Sequence, residues 1–473
     1  MAVGLSLTQQ GDLFNQLQNT RFHPICQDFC FLFGGNMPFE SYTYKSREEI
    51  EAKAKSLGLY LPFTDNTGIL HTPHAGFENR LVFQPMEGCD GSTEGDIGDL
   101  SVRRYLRYAE GGVGLIWFEA VAITPEARAN PRQPWLNEKT FDSFARLVDQ
   151  IKKAGMAKNG FAPKIILQAT HSGRYSKPEG VPAPIIAYNN LLFEKDNPID
   201  PSRIITDGEL RRLEDCFYQT AKLSEAAGFD GIDIKCCHRY LNSELMSAYN
   251  RPGEYGGSLE NRSRLLRNGV AAANAATRKD FIKTTRLNLY DAFPYPFGFG
   301  TDLVEGSTKR DPGELFIVME ALHDLGVRLV NMSMGNPYVN PHVNRPYNLG
   351  GYTPAEHPLE GVARMIQGVS ELSHRFPDMD FVASGLSYLR QYAIPAAAAL
   401  VENGDAAFVG FGRGSFAYPD FPRDLKEGTF DEKKVCIACS KCTELMRAGS
   451  VTGCVIRDSE TYLPLYREFC MKK

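Results

Sequence analysis

Eight short β-rich apolar runs recur from about residue 80 onward, each followed by a longer amphipathic stretch. They occupy residues 81–85, 114–119, 164–169, 231–235, 282–287, 328–333, 381–384 and 406–410. Between them lie helix-like segments such as 209–227, with charges on one side and Leu213, Phe217, Ala221 and Ser224 on another. A mean spacing of about 45 residues suits βα units with elaborated loops. The runs are apolar throughout, as parallel strands covered on both faces should be. Eight such units close naturally into a (β/α)8 TIM barrel, so the expected fold class is α/β.

The two ends break this alternation. Residues 1–75 hold a helix around 46–57 and a Pro-rich lead-in. They read as an N-terminal extension that wraps the barrel or meets a neighbouring subunit, so a homo-oligomer is expected. Residues 76–425 form the barrel and 426–473 a C-terminal Cys-rich segment. The net charge is −5, from 52 Lys+Arg and 57 Asp+Glu, with no long basic stretch, so no nucleic-acid partner is expected. A content of 43% hydrophobic and 23% charged residues excludes disorder or coiled coil as the main architecture. The N-terminus lacks a basic stretch followed by an apolar one. The most lipid-like run, 393–401, contains Pro395 and is about half the length a bilayer requires. The expectation is a soluble cytoplasmic protein without a membrane partner.

Active sites of such barrels lie at the C-terminal ends of the strands. The fourth run releases Lys235, Cys236, Cys237, His238, Arg239 and Tyr240 there. Lys235 and His238 suit the polarisation of a carbonyl oxygen, and Tyr240 suits a general acid. Singly, each has a structural alternative: Lys235 paired with a carboxylate, His238 capping a backbone group, Tyr240 packed in the mouth. Three together favour chemistry. Runs seven and eight lead into Gly385 and into Gly410-Phe411-Gly412-Arg413, where backbone amides and Arg413 can approach a cofactor phosphate. Segment 335–346, after run six, offers Tyr338 and His342 as substrate contacts or a second proton donor; a Pro-braced loop is an equal alternative.

No GxGxxG follows a strand and no GxxxxGK[ST] occurs, so a nicotinamide nucleotide would bind without that fingerprint or on another protein. Of the 11 cysteines, Cys436, Cys439, Cys442 and Cys454 are spaced C-x2-C-x2-C-x11-C. That spacing fits an iron–sulfur cluster or a structural zinc equally. Cys89, Cys236 and Cys237 read as small residues of the barrel mouth, and Cys26, Cys30, Cys216 and Cys470 carry no assigned chemistry.

The loop after run four resembles the Old Yellow Enzyme family of NADH:flavin oxidoreductases. Tyr255-Gly256-Gly257-Ser258 and Glu260-Asn261-Arg262 match its YGGS-x-ENR segment without gaps. His238 falls at the second member of the family's oxyanion-binding pair, Lys235 replaces the histidine at the first, and Tyr240 falls at the tyrosine that protonates the substrate α-carbon. The resemblance further places Pro85 and Met86 at the flavin-contacting end of the first strand. Glu87 stands where many relatives carry a small polar residue, at the flavin O4/N5 edge. Gln168, within LQATHSGR, matches the glutamine on the flavin pyrimidine; His171, Gly173 and Arg174 complete that motif, with Arg174 a substrate candidate. Arg286 matches the cation near flavin N1, and Gly385, Gly412 and Arg413 match the FMN phosphate loops. The cysteine segment resembles the branch containing dienoyl-CoA reductase and trimethylamine dehydrogenase, which implies a 4Fe–4S cluster; that branch has three residues between its second and third Cys, and this chain has two.

What the resemblance implies is an FMN-dependent ene-reductase acting on an enone or enoyl thioester. Hydride would come from FMN N5 and a proton from Tyr240, with the cluster relaying electrons in an anoxic cytoplasm. The branch's larger members continue into FAD- and NAD-binding portions, whereas this sequence ends at Lys473, just past the cysteines. NADH or NADPH docking over FMN, or an electron-donor protein, is therefore expected as the source of electrons. The alternatives are an electron-transfer subunit (diaphorase) or an amine dehydrogenase working with a partner protein. A non-catalytic scaffold leaves the polar groups at one barrel mouth unexplained.

Overall fold

All eight apolar runs form strands: β1 (Leu81–Phe83), β2 (Leu115–Ala122), β3 (Lys164–Thr170), β4 (Gly231–Ile234), β5 (Ile282–Asn288), β6 (Leu329–Ser333), β7 (Asp380–Ala383) and β8 (Phe408–Phe411). They pair in parallel in chain order and close β8 onto β1, as expected for the (β/α)8 barrel. The structure, a computed structural model, describes residues 39–471. The earlier part of the expected extension, 1–38, with Cys26 and Cys30, lies outside the described residues. Strand ends differ from the apolar runs by one to three residues, because ladder pairing rather than hydropathy sets them.

The helices are α1 (Arg47–Ser56), before the barrel, then α2 (Asp99–Glu110), α3 (Phe141–Asn159), α4 (Asp207–Ala226), α5 (Arg264–Ala276), α6 (Gly313–Asp324), α7 (Pro358–Arg375) and α8 (Ala393–Glu402). Helix α4 shows how sequence sets such an element. Thr206 and Glu209 form a capping box that satisfies the first free amides, and the buried face repeats at Leu210, Leu213, Phe217, Ala221 and Ser224.

Side chains alternate between the two faces of each strand, so every second residue enters the barrel. At the base these inward residues are apolar: Val82, Leu115, Trp117, Ile166, Leu329, Val382 and Phe408. Nearer the mouth they turn polar, which departs from the uniformly apolar strands expected. Gln84 and Asn331 exchange two amide hydrogen bonds, at 3.1 and 2.8 Å. A Cβ on Gly410 would meet Gln84 Nε2 at 2.0 Å, so only glycine leaves room for that pair. Asp233 accepts from Trp117 Nε1 at 2.7 Å, Gln168 Nε2 at 2.6 Å and the Arg286 amide at 2.6 Å. Fully paired polar groups at this depth carry little desolvation penalty and give the mouth a fixed floor.

Residues 39–75 lie against the outside of the barrel beside β7 and α8. Ser46 caps α1, which buries Ile50 and Ala54. Thr64 donates its amide to Pro395 O at 3.2 Å, and Tyr42 packs edge-on to Tyr388. The Cys-rich tail ends in α9 (Lys441–Arg447) and α10 (Ser459–Cys470). Asp458, just before α10, fastens it to α2 by accepting from Arg103 at 2.7 and 3.0 Å and from Arg107 at 2.8 Å. Among the described residues no helix is long and apolar enough to cross a membrane.

Candidate active site and cysteine cavity

The chain leaves β4 through two consecutive residues in the left-handed region, His238 (φ 65°) and Arg239 (φ 58°). Neither is glycine, so this turn costs roughly 1–3 kcal/mol per residue and persists only because its surroundings over-determine it. His238 Nε2 lies 3.0 Å from both Ser333 Oγ, at the end of β6, and Asn344 Nδ2. The buried Arg239 guanidinium donates to Phe297 O at 2.7 Å and lies over the Phe193 ring. The turn delivers Tyr240 to the start of the short helix Leu241–Met246. From β3, Gly173 (φ 59°) packs under that helix, where a Cβ would stand 2.7 Å from Leu241 N.

Tyr240 is the centre of a polar cluster. Its hydroxyl donates to Glu87 Oε1 at 3.2 Å and lies 2.9 Å from Tyr338 Oη. Lys235 Nζ sits 3.8 Å from the centre of the Tyr240 ring and 4.0 Å from Glu87 Oε1. Tyr175 stacks on Tyr338 at 4.0 Å. Burial raises the Tyr240 pKa well above the usual range, and the Glu87 charge adds to this. Burial lowers the Lys235 pKa, opposed by Glu87, and holds His238 well below the usual imidazole range, helped by Arg286 and Lys235. His238 is thus neutral at pH 7. Burial also pushes Asp233 up to about 6.

The sequence-derived site residues separate into groups. Lys235, Tyr240, Tyr338 and Glu87 meet at one point, with His238 turned towards β6. Glu87 faces Tyr240 and Lys235. Arg174 points away from that cluster: its two arms pair with Glu194 and Glu244, and Phe193 lies beneath it. His342 is likewise engaged elsewhere, with Tyr352 and, at 4.0 Å, Glu356; burial brings its pKa down to about 4.

Several supporting residues escaped the sequence reading. A register shift in β2 between Trp117 and Ala120 frees Glu119 from the strand alternation. Its carboxylate accepts from Gly88 N at 2.8 Å, pairs with Arg104 of α2, and so holds the loop that carries Glu87. Thr452, from the tail, donates its amide to Gly88 O at 2.8 Å on the other side. Tyr175 directly follows Gly173-Arg174, and that adjacency was its one available signal.

Two cations in the mouth fit an anionic cofactor. Arg286 is buried, and its Nε has no hydrogen-bond partner among the described residues. Arg413 spends Nη2 on Pro346 O at 2.7 Å, but its buried Nη1 has none. Gly385 adopts φ 91°, and a Cβ on Gly412 would press on Met86 Sδ at 3.0 Å. Leaving buried guanidinium atoms unpaired is costly, and a phosphate and an electron-rich ring would satisfy these two.

The four tail cysteines all line one cavity of about 370 Å³, with Arg413, Ser440 and Lys441. Among the described residues no group of three or more His, Cys, Asp or Glu is placed to hold a single metal ion. Left-handed Ala438 (φ 52°) and Ser440 (φ 60°) curl the loop between the first three cysteines. Backbone amides of Ala438 and Arg457 donate to Cys436 Sγ at 3.4 Å and Cys454 Sγ at 3.3 Å. Burial pushes the Cys436 thiol up to about 12, against the pull of Arg413. Arg345, also missed from the sequence, bonds Thr443 Oγ1 at 2.5 Å and lowers Cys442 together with Arg413, although burial dominates there.

The family model of the NADH:flavin oxidoreductase / NADH oxidase family matches residues 73–329. NADPH dehydrogenase from Clostridium acetobutylicum is 31% identical over 271 residues, 56% of this chain and 72% of that protein. NADH oxidase from Thermoanaerobacter brockii is 26% identical over 378 residues, 76% of this chain and 50% of that one. Among solved structures, 2-naphthoyl-CoA reductase in complex with 2-naphthoyl-CoA superposes with a TM-score of 0.68 at 17% identity, covering 85% of this chain and 58% of that one. The chain thus spans about half the length of the last two.

Proposed function

The chain belongs to the NADH:flavin oxidoreductase / NADH oxidase family and is an oxidoreductase; on that premise we propose that it reduces a C=C bond conjugated to a carbonyl, using FMN and a 4Fe–4S cluster. The substrate class is an enone or enoyl thioester, and the electrons come from NADH, NADPH or an electron-donor protein. The observation that carries this reading is Tyr240, a buried phenol at the barrel mouth under the Lys235 ammonium and hydrogen-bonded to Glu87 and Tyr338.

When bound, FMN supplies hydride chemistry and the cluster one-electron transfer. Pro85, Met86, Gln168, Arg286, Gly385, Gly412 and Arg413 would hold the flavin, and Cys436, Cys439, Cys442 and Cys454 the cluster. The protein's own part is to bind and to protonate. Lys235, at the cluster, draws electron density onto the substrate carbonyl oxygen, and neutral His238, held on the β6 side by Ser333 and Asn344, is the second candidate donor to it. Tyr240 keeps its proton at neutral pH and releases it to the α-carbon only as negative charge develops there. A second reading, oxidation of an amine, is favoured by the Glu87 carboxylate, an acceptor for an ammonium proton in the same mouth.

The test is anaerobic purification with flavin and iron analysis, followed by stopped-flow reduction with NADH and NADPH and turnover with a cyclic enone. Tyr240→Phe is expected to bind flavin and be bleached by the nucleotide at the wild-type rate, while enone turnover drops by about 10²–10⁴-fold. Zinc without flavin sinks the cofactor assignment. Unchanged enone turnover in Tyr240→Phe sinks the role of the phenol.

A further inference from the structure

Ene-reduction requires Tyr240 to release its one hydroxyl proton towards the substrate. In the structure that proton is already directed elsewhere. Tyr240 Oη donates to Glu87 Oε1 at 3.2 Å, and Tyr338 Oη stands 2.9 Å from the same phenol oxygen. A phenol has one proton to donate. With it committed to the carboxylate, the 2.9 Å contact is filled by the Tyr338 proton, and the chain of donors runs from Tyr338 through Tyr240 to Glu87. An ionised Glu87 therefore competes with the substrate for the Tyr240 proton.

We propose that Glu87 is a positioning residue that gates Tyr240: the phenol proton turns to the substrate α-carbon only when Glu87 is itself protonated and donates back to Tyr240 Oη. This rests on the enone-reduction reading. The steps balance. The Tyr240 O–H bond breaks as the C–H bond forms, the Glu87 proton passes to the phenolate oxygen, and Glu87 regains a proton from water. One solvent proton is consumed per turnover, and the electron pair arrives only with the hydride. Glu87 is suited to the exchange because its side chain keeps 18% exposure while Lys235 beside it keeps 3%.

The groups facing Glu87 are few. Lys235 Nζ from the end of β4 lies 4.0 Å away; Tyr240 and Tyr338 contact or adjoin it; Cys89 shares its loop; Glu119 of β2 adds a like charge that Arg104 offsets. The loop is fixed at Gly88 from both sides, by Glu119 and by Thr452, so Glu87 is held against Tyr240 rather than arriving by chance. A small polar residue at this position would leave the phenol ungated.

The experiment is single-turnover oxidation of the reduced holoenzyme by 2-cyclohexenone, followed across pH at saturating enone. The wild-type limiting rate is expected to fall with rising pH, reaching about tenfold per pH unit, whereas in Glu87→Gln, whose amide always has a proton for Tyr240, it changes less than about twofold. Glu87→Asp restores the slope. Loss of the Lys235 charge appears in the half-saturating enone concentration, which Lys235→Met isolates. A Glu87→Gln enzyme that keeps the wild-type slope overturns the gate. Infrared pH titration reads the same bond without substrate: a protonated-carboxyl band absent from Glu87→Gln is expected to shift in Tyr240→Phe. A wild type that fails to reduce the enone while that band shifts overturns the reduction reading alone; a band that does not shift overturns the gate.

Discussion

Replacing Glu119 with alanine probes how the loop carrying Glu87 is held. The Glu119 side chain is 1% exposed and serves Arg104, Gly88 N at 2.8 Å, Tyr105 Oη at 3.2 Å and Ser101 Oγ at 3.3 Å. Alanine strands the Arg104 guanidinium, itself 5% exposed, as an unpaired buried cation. Breaking a buried ion pair at one end costs roughly 3–5 kcal/mol. The buried Gly88 amide, left without its acceptor, adds roughly 1–3 kcal/mol, for an expected loss of about 4–8 kcal/mol. The double variant Arg104→Met/Glu119→Leu removes both charges. It should recover the ion-pair part and keep the amide part, landing within about 1–3 kcal/mol of wild type. Urea unfolding of the holoenzyme, followed by circular dichroism and extrapolated linearly, measures all three. Glu119→Ala within about 1 kcal/mol of wild type would refute the reasoning, since the ion pair and the Gly88 bond would then carry no net stability. So would a double variant as unstable as the single one.

Two further predictions follow from individual charges. Arg286 Nε has no hydrogen-bond partner among the described residues, so Arg286→Met should leave the apoprotein's urea midpoint unchanged or raised. The same change should weaken FMN binding about 10–100-fold, the worth of a charged hydrogen bond, read by quenching of flavin fluorescence on titration into apoprotein. At Asp458, burial alone would raise the pKa, but Arg103 and Arg107 outweigh it and the native value lies below the ordinary one. A depressed carboxylate pKa contributes stability that is present above the unfolded value, about 3.9, and lost as pH falls through the native one. Hydrogen exchange of the α10 amides should therefore accelerate below about pH 4 in wild type, and Asp458→Asn should exchange fast already at neutral pH.

The barrel was legible because its signal is local and repeated: each run is apolar in its own right, and eight of them leave little choice of closure. The polar inner ring was less so. Gln84, Asn331 and Asp233 are single residues in runs of five or six, and nothing short of the closed barrel shows that they meet. In the candidate site, Lys235, His238 and Tyr240 were readable because one loop supplies all three. Their separation was not, since it depends on the left-handed turn at His238 and Arg239, which sequence disguises by placing no glycine there. Arg174 and His342 illustrate the converse. Both belong to segments at the mouth, yet the acidic partners that draw them aside, Glu194, Glu244 and Glu356, lie outside the motifs that singled them out.

The tail shows where such legibility ends for a physical reason. It was read from its cysteines alone, yet it also touches both loops that supply partners to Tyr240. Thr452 donates to Gly88 O, next to Glu87, and Arg447 Nη2 donates to Pro337 O at 3.0 Å, next to Tyr338. Arg345, on the segment that carries Tyr338, returns a bond to Thr443 of α9. In the first two contacts the acceptor is a backbone carbonyl, which every residue type provides, so no side-chain pattern on the loops could announce them. Their consequence is geometric. The segment that brings the four cysteines together also fixes the two loops whose spacing sets the hydrogen bonds of Tyr240. Whatever alters the packing of that tail is therefore felt at the phenol, through bonds that do not depend on electron transfer.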